Sequence, residues 1–254
     1  MRDVGAVARA VTRDDARLDV HPDAAAAARA GAESFVARAR AAVETGGRFT
    51  VALSGGTAPK RMYALLGTDE FAQHVLWEGV HLFWGDERCV APCHPRSNFG
   101  MAWGAFVRRV PIPAANVHRI PGELPAREGA ARYAAELERV LGPGVPRFDL
   151  VHLGVGPDAH TCSLFPFDPL LRERGRTVAA ALHRPLGEPR VTFTFPVVNA
   201  AARVEFFVVG RDKAAVAWQV LRGPLDPFRL PAQNVRPLSG EQVWIMDEPA
   251  AARL

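Results

Sequence analysis

A carboxylate and an imidazole two positions apart are the residues of this chain best suited to chemistry. They lie in "HLGVGPDAHTCSLFP", residues 152–166, where an apolar run ends at Gly154 and Gly156 and is followed by Asp158 and His160. An imidazole titrates near neutrality, so one side chain can take a proton and later return it, as a general base that becomes an acid must. A lone histidine after a glycine turn is also an ordinary loop residue. The rest of the chain has to decide between the two.

Three other segments offer groups for an anion. "LSGGTAPK", residues 53–60, puts Gly55 and Gly56 between an apolar run and a helix-forming segment. Backbone without Cβ atoms can approach a phosphate, and the hydroxyls of Ser54 and Thr57 together with a helix N-terminus favour negative charge. The spacing is neither that of the Walker A loop nor that of the dinucleotide fingerprint, and a plain strand-to-helix turn reads the same way. "VVGRDKA", residues 208–214, repeats the glycine turn with Lys213 early in the next helix, as an anion partner or as a solvated lysine. Arg190, opening "RVTFTF", is a further candidate partner.

Positioning these groups requires a framework, and the hydrophobic pattern supplies one. Residues 23–47 are rich in helix formers, with Asp23 at the start and a glycine pair at the end, which predicts an amphipathic helix. "RFTVALSGG" predicts a buried strand entering a glycine turn, and residues 57–67 a helix with Pro59 in its first turn. Further strands are expected at "VHLFW", "FDLVHL", "RVTFTF", "RVEFFVV" and "EQVWIM", with helices at "SNFGMAWGAFVRRV", residues 125–142, the segment after Gly210 and the C-terminus. "PVVNAAA" after "RVTFTF" is expected to be a loop broken at Pro196. Strands alternating with helices, without internal repeat or linker, argue for one α/β domain over residues 1–254 with a mainly parallel sheet and helices on both faces. In such sheets ligands gather beyond the carboxyl ends of the strands, so the loops after "FTVAL", "HLFW", "DLVHL" and "EFFVV" are where a site belongs.

Composition narrows the function classes. With 254 residues, 48% hydrophobic and 23% charged, the chain can bury a sizeable core, and its net charge of +4 is a mild bias toward an anionic small molecule. The arginines are scattered and lack interleaved aromatics, which argues against nucleic acid. The first twenty residues carry charges throughout and do not read as a signal peptide. No run approaches the roughly 18 apolar residues of a membrane span. Cys89, Cys93 and Cys162 form no paired framework and fit a reducing, cytoplasmic compartment. "CVAPCH", residues 89–94, is a weak zinc pattern because no second cysteine pair follows. No metal is expected.

Six segments, in this order and over nearly the whole chain, resemble the signature blocks of the 6-phosphogluconolactonases: "LSGGTAPKRMYALL", "WGDERCVAPCHPRSNFGMA", "LGVGPDAHTCSLFP", "RVTFTF", "GRDKA" and "VWIMDEPAA". That family forms a broader group with the glucosamine-6-phosphate deaminases. The resemblance implies a Rossmann-like three-layer α/β/α sandwich and cofactor-independent hydrolysis of 6-phospho-D-glucono-1,5-lactone to 6-phosphogluconate, in the oxidative pentose phosphate pathway. It implies His160 as the general base and Arg88 at the pocket edge, holding substrate or a developing oxyanion, unless Arg88 is spent on an ion pair with Asp86 or Glu87. Asp158 would orient the imidazole or the sugar hydroxyls, or cap a turn. Ser54, Gly55, Gly56, Thr57, Arg190 and Lys213 would hold the 6-phosphate, whereas Asn98 stays open between a site role and a local cap. The implied partner is a small sugar phosphate, with no nucleic acid or membrane and the protein a monomer or weak homodimer. Two departures stand out: Ala159 replaces the usual Gly, where a β-carbon costs energy if φ is positive, and Thr57-Ala58-Pro59 replaces the usual Ser-Thr-Pro. The deaminases carry a Glu after their histidine in a Phe-Asn-Glu-Pro segment, and this chain reads "TCSLFP" instead. A binding module that keeps the cradle without turnover is the alternative from another class, and its signature would be loss of the base.

Overall fold

The alanine-rich segment after Asp23 forms helix α1 (Ala24–Gly46). The Asp23 carboxylate accepts hydrogen bonds from the N–H groups of Ala25 and Ala26, and Gly47 ends the helix in a left-handed conformation. Its apolar stripe, including Ala28, Ala32, Phe35 and Ala39, is buried. Phe35 meets Phe49 edge-on at 5.4 Å and lies 6.1 Å from Trp77. Burying one such ring stabilises the fold by about 1.5–3 kcal/mol. The structure is a computed structural model, and it describes residues 15–254. The reading of the N-terminus as no signal peptide therefore lies largely outside the described residues.

Six strands make one parallel sheet in the order β1-β9-β8-β5-β2-β3. They are β1 (Arg17–His21), β2 (Phe49–Leu53), β3 (Val80–Trp84), β5 (Leu150–Leu153), β8 (Arg203–Val208) and β9 (Glu241–Asp247). The expected strands of this sheet are all present, and β2, β5 and β8 are buried along their whole length, as central parallel strands must be. Between them run α1, α2 (Thr57–Leu66), α3 (Asp69–Ala72), α4 (Asn98–Ala105), α5 (Ala126–Leu141), α6 (Phe195–Ala200), α7 (Ala214–Leu221) and α8 (Glu248–Ala251). The result is the three-layer α/β/α sandwich. One apolar cluster runs through it from Ala27 to Ala250. Among the described residues no helix is long and apolar enough to cross a membrane.

Three features differ from the sequence-based expectation. "RVTFTF" does not join the parallel sheet: its first four residues lie in β7 (Glu188–Phe193), which pairs antiparallel with β4 (Asp86–Arg88) and β6 (Val178–His183) in a second, three-stranded sheet. Arg190 is the third residue of that strand, not the first. Alternating hydrophobicity reveals a strand but not its partners. Second, most of "PVVNAAA" lies in a helix, α6, which starts at Phe195 and has Pro196 in its first turn, where the missing N–H would have had no helical partner anyway. Third, β1, short and charged, went unread; it pairs with β9 from Arg17↔Val243 to His21↔Asp247 at the sheet edge.

Candidate active site

The loops after β2, β3, β5 and β8, neighbours in the sheet, converge on a cleft of about 220 Å³. Ser54, Gly55, Gly56, Thr57, Arg88, His160, Arg190 and Lys213 all line it. Asp158 is the one sequence-derived candidate that does not. It stands behind the histidine, its Oδ1 2.5 Å from His160 Nδ1 and 3.3 Å from the His160 backbone N–H. Asp158 thus orients the imidazole and also closes the turn. Burial pushes the Asp158 carboxyl up, but hydrogen bonding and charge attraction from His160 outweigh it and hold the group below its ordinary value. An ionised Asp158 accepts the Nδ1 hydrogen, which leaves Nε2 as the basic nitrogen.

The turn that carries this pair is sterically tight. A β-carbon on Gly156 would fall 2.2 Å from the His160 ring and 2.7 Å from the Asp158 carboxylate, so glycine is required for the two to meet. The cradle after β2 has the same character. A β-carbon on Gly55 would fall 2.0 Å from Asn98 Oδ1, and Gly56 caps α2 at φ +109°. Ser54 Oγ is buried at the wall of the cleft with no hydrogen-bond partner among the described residues.

The cations reach the cleft from two directions. Arg88 and Arg190 sit opposite each other on β4 and β7, and the Nε of each is buried with no partner among the described residues. Arg190 Nη2 pairs with Glu188, which also binds Arg96. Burial works against the Arg190 charge, and Asp86 is the strongest support for it. The proposed ion pair of Arg88 with Asp86 or Glu87 is absent among the described residues: Arg88 donates to the Arg96 carbonyl. Glu87 instead accepts from Ser97 Oγ and from the N–H groups of Asn98 and Phe99, where α4 begins. Lys213, in the turn before α7, donates one of its three N–H bonds to the Val155 carbonyl at 2.9 Å. Two guanidiniums with unused donors, an ammonium and a hydroxyl lining one cleft are chemically suited to an anion.

Residues 22–244 match the family described as glucosamine-6-phosphate isomerases/6-phosphogluconolactonase. The chain belongs to this family. It is 40% identical over 242 residues to a 6-phosphogluconolactonase of a Nostoc species, covering 93% of this chain and 98% of that one. It is 42% identical over 213 residues to the 6-phosphogluconolactonase of Homo sapiens, covering 82% of this chain and 81% of that one. The solved 6-phosphogluconolactonase of Trypanosoma cruzi superimposes with a TM-score of 0.84 at 27% identity, covering 94% of this chain and 97% of that one.

Against the family pattern, Ala159 does take positive φ, +64°, and is fully buried. Its carbonyl accepts from Ala232 N–H, so the strained turn is tied into the structure. Thr57 and Ala58 both line the cleft, so this loop brings two hydroxyl residues to it, Ser54 and Thr57. One contributor escaped sequence reasoning as a lining residue. Asp86 lines the cleft with both carboxylate oxygens engaged, Oδ1 by Asn98 Nδ2 at 3.1 Å and Oδ2 by Ser163 Oγ at 2.6 Å. Asn98, left open between a site role and a local cap, lines the cleft and is held across Gly55 by Asp86, while Ser97 caps α4. "GDER" after an apolar run was the available signal, but a carboxylate beside arginines reads first as their partner.

Proposed function

We propose that this protein hydrolyses 6-phospho-D-glucono-1,5-lactone to 6-phosphogluconate, the lactone-opening step of the pentose phosphate pathway. The observation that carries the reading is an imidazole oriented by a carboxylate at the same small cleft as a set of buried donors with no partner among the described residues. The cradle residues Ser54, Gly55, Gly56 and Thr57, with Lys213 and Arg190, hold the phosphate. His160 Nε2 takes a proton from water as its oxygen bonds to C1. Arg88 stabilises the oxyanion that forms. Collapse breaks the bond between C1 and the ring oxygen, and the imidazolium returns its proton to that oxygen, so the balance closes with water as the only co-reactant. Asp158 compensates the charge on the imidazolium throughout.

Isomerisation or deamination would need a carboxylate after the histidine. Thr161, Cys162 and Ser163 occupy that stretch, and Ser163 is committed to Asp86. The three cysteines are free thiols, which suits the proposed cytoplasmic location, and the protein is read as a monomer or weak homodimer. The test is the hydrolysis rate of freshly generated lactone, coupled to 6-phosphogluconate dehydrogenase and corrected for spontaneous opening. His160→Ala is expected to lose about 10²-fold or more in kcat. A wild type no faster than background rejects the function, and a fully active variant rejects the base.

A further inference from the structure

Two buried tyrosines end neighbouring strands in the same way. Tyr63, on α2, receives the Ser54 N–H at 3.0 Å and lies 3.3 Å from the Ser54 carbonyl. Tyr133, on α5, receives the Trp84 N–H at 2.9 Å and donates to the Trp84 carbonyl at 3.0 Å. In each case one hydroxyl serves both polar groups of one residue. Ser54 follows the last residue of β2 and opens the phosphate cradle, and Trp84 is the last residue of β3, two positions before Asp86 and four before Arg88.

The sheet geometry explains why a hydroxyl is needed there. Residues along a parallel strand turn their N–H and C=O groups alternately to one side and the other. Leu53 gives its carbonyl to Gly85 N–H, across the β2–β3 boundary. Ser54 therefore faces away from β3, toward β5, whose pairing with β2 covers only Val51 and Ala52. On β3 the carbonyl of Leu82 goes outward to His118 N–H, so Trp84 also faces outward from the sheet edge. Among the described residues neither has a strand to pair with on that side, and both are buried. A phenol supplies the donor and the acceptor that the next strand residue would have supplied. Burial pushes both phenols far above their ordinary range, so neither ionises. The Tyr63 oxygen also lies 3.4 Å from His152 Nδ1 on β5, filling the gap where β2 and β5 part.

We propose that Tyr63 and Tyr133 are positioning residues for two separate halves of the site. Tyr63 holds the cradle that binds the phosphate, and Tyr133 holds the strand end that carries Asp86 and brings Arg88 to the reacting carbon. This assignment rests on the lactonase reading above. Each loop leaves the sheet at a residue anchored by one hydroxyl, so removing that hydroxyl loosens one loop and not the other.

The experiment compares Tyr63→Phe and Tyr133→Phe in steady-state lactone hydrolysis, in binding of 6-phosphogluconate by calorimetry, and in thermal unfolding. Each variant strips a hydroxyl from one buried peptide group, so both are expected to melt a few degrees lower. Tyr63→Phe is expected to raise KM and the Kd for 6-phosphogluconate roughly three- to tenfold with kcat within about twofold, and Tyr133→Phe to lower kcat by a similar factor with that Kd held. Each is the stability control for the other. Equal melting losses with unchanged kinetics would make both tyrosines framework parts and overturn the proposal. Identical kinetic defects in the two, or failure of both to fold, would overturn it as well. Absence of turnover in the wild type would instead remove the lactonase reading, and the Kd comparison would still test the Tyr63 anchor.

Discussion

At the scale of single residues, the departure at Ala159 and the glycine at 156 make opposite predictions. Ala159 at φ +64° carries strain of roughly 1–2 kcal/mol. Its buried methyl returns about 0.8 kcal/mol, and glycine in its place would add roughly 0.5–1 kcal/mol of unfolded-chain entropy. The terms nearly cancel. Ala159→Gly is expected to change the unfolding free energy by less than about 1 kcal/mol and leave kcat within about twofold, measured by denaturant titration and the coupled assay. Gly156→Ala meets the His160 ring at 2.2 Å and cannot be absorbed without moving the imidazole off Asp158. It is expected to cost about 10²-fold or more in kcat. The His160–Asp158 pair was legible because two chemically distinctive residues fell in one short segment. The need for glycine at 156 was not, because it arises from where the ring folds back.

At the scale of elements, the cradle depends on how β2 turns into α2. Gly56 sits at φ +109° and ψ 167°, a region that is essentially restricted to glycine. Gly56→Ala is expected to cost about 1–3 kcal/mol of stability and to raise KM with little change in kcat, because the loop that would hold the phosphate moves while the histidine, on the loop after β5, does not. A raised KM at unchanged stability would mean that the loop had relaxed, and an unchanged KM would remove Gly56 from the cradle. The glycine turn was readable from "LSGG", since strand, glycines and helix follow one another in the chain. Tyr63, nine residues after Ser54 on the next helix, was not, because its role depends on where β2 and β5 part.

At the scale of the molecule, stability carries a pH signature away from the cleft. His81 Nδ1 and His118 Nε2 are 3.0 Å apart, and His118 Nδ1 lies 2.7 Å from Glu136, which also pairs with Arg139. Burial, and for His81 the neighbouring His118, push both imidazoles below their ordinary value, while Glu136 only partly opposes this at His118. The unfolded chain then binds more protons than the folded one below about pH 6.5, so stability rises with pH across that window. It is fully present above about pH 6.5 and lost as pH falls through the folded values. The denaturation midpoint is expected to be lower at pH 5.5 than at pH 7.5, with a smaller difference in His81→Asn. An equal difference in that variant would assign the effect to other groups.

The amino-acid sequence by itself determined the local elements, the parallel α/β order and the groups able to meet an anion and move a proton. Caps, glycine turns and hydrophobic period act over a few residues, and "GVGPDAH" or "LSGG" states its chemistry within its own length. Only the tertiary structure decided that Arg88 and Arg190 pair on adjacent strands of a second, antiparallel sheet, that Asp86 enters the cleft on Asn98 and Ser163, and that Asp158 meets the His160 ring from outside the cleft lining. Those are pairings between segments tens of residues apart, or rotations of one side chain against another. Such contacts are set by strand register and by burial that no local pattern encodes.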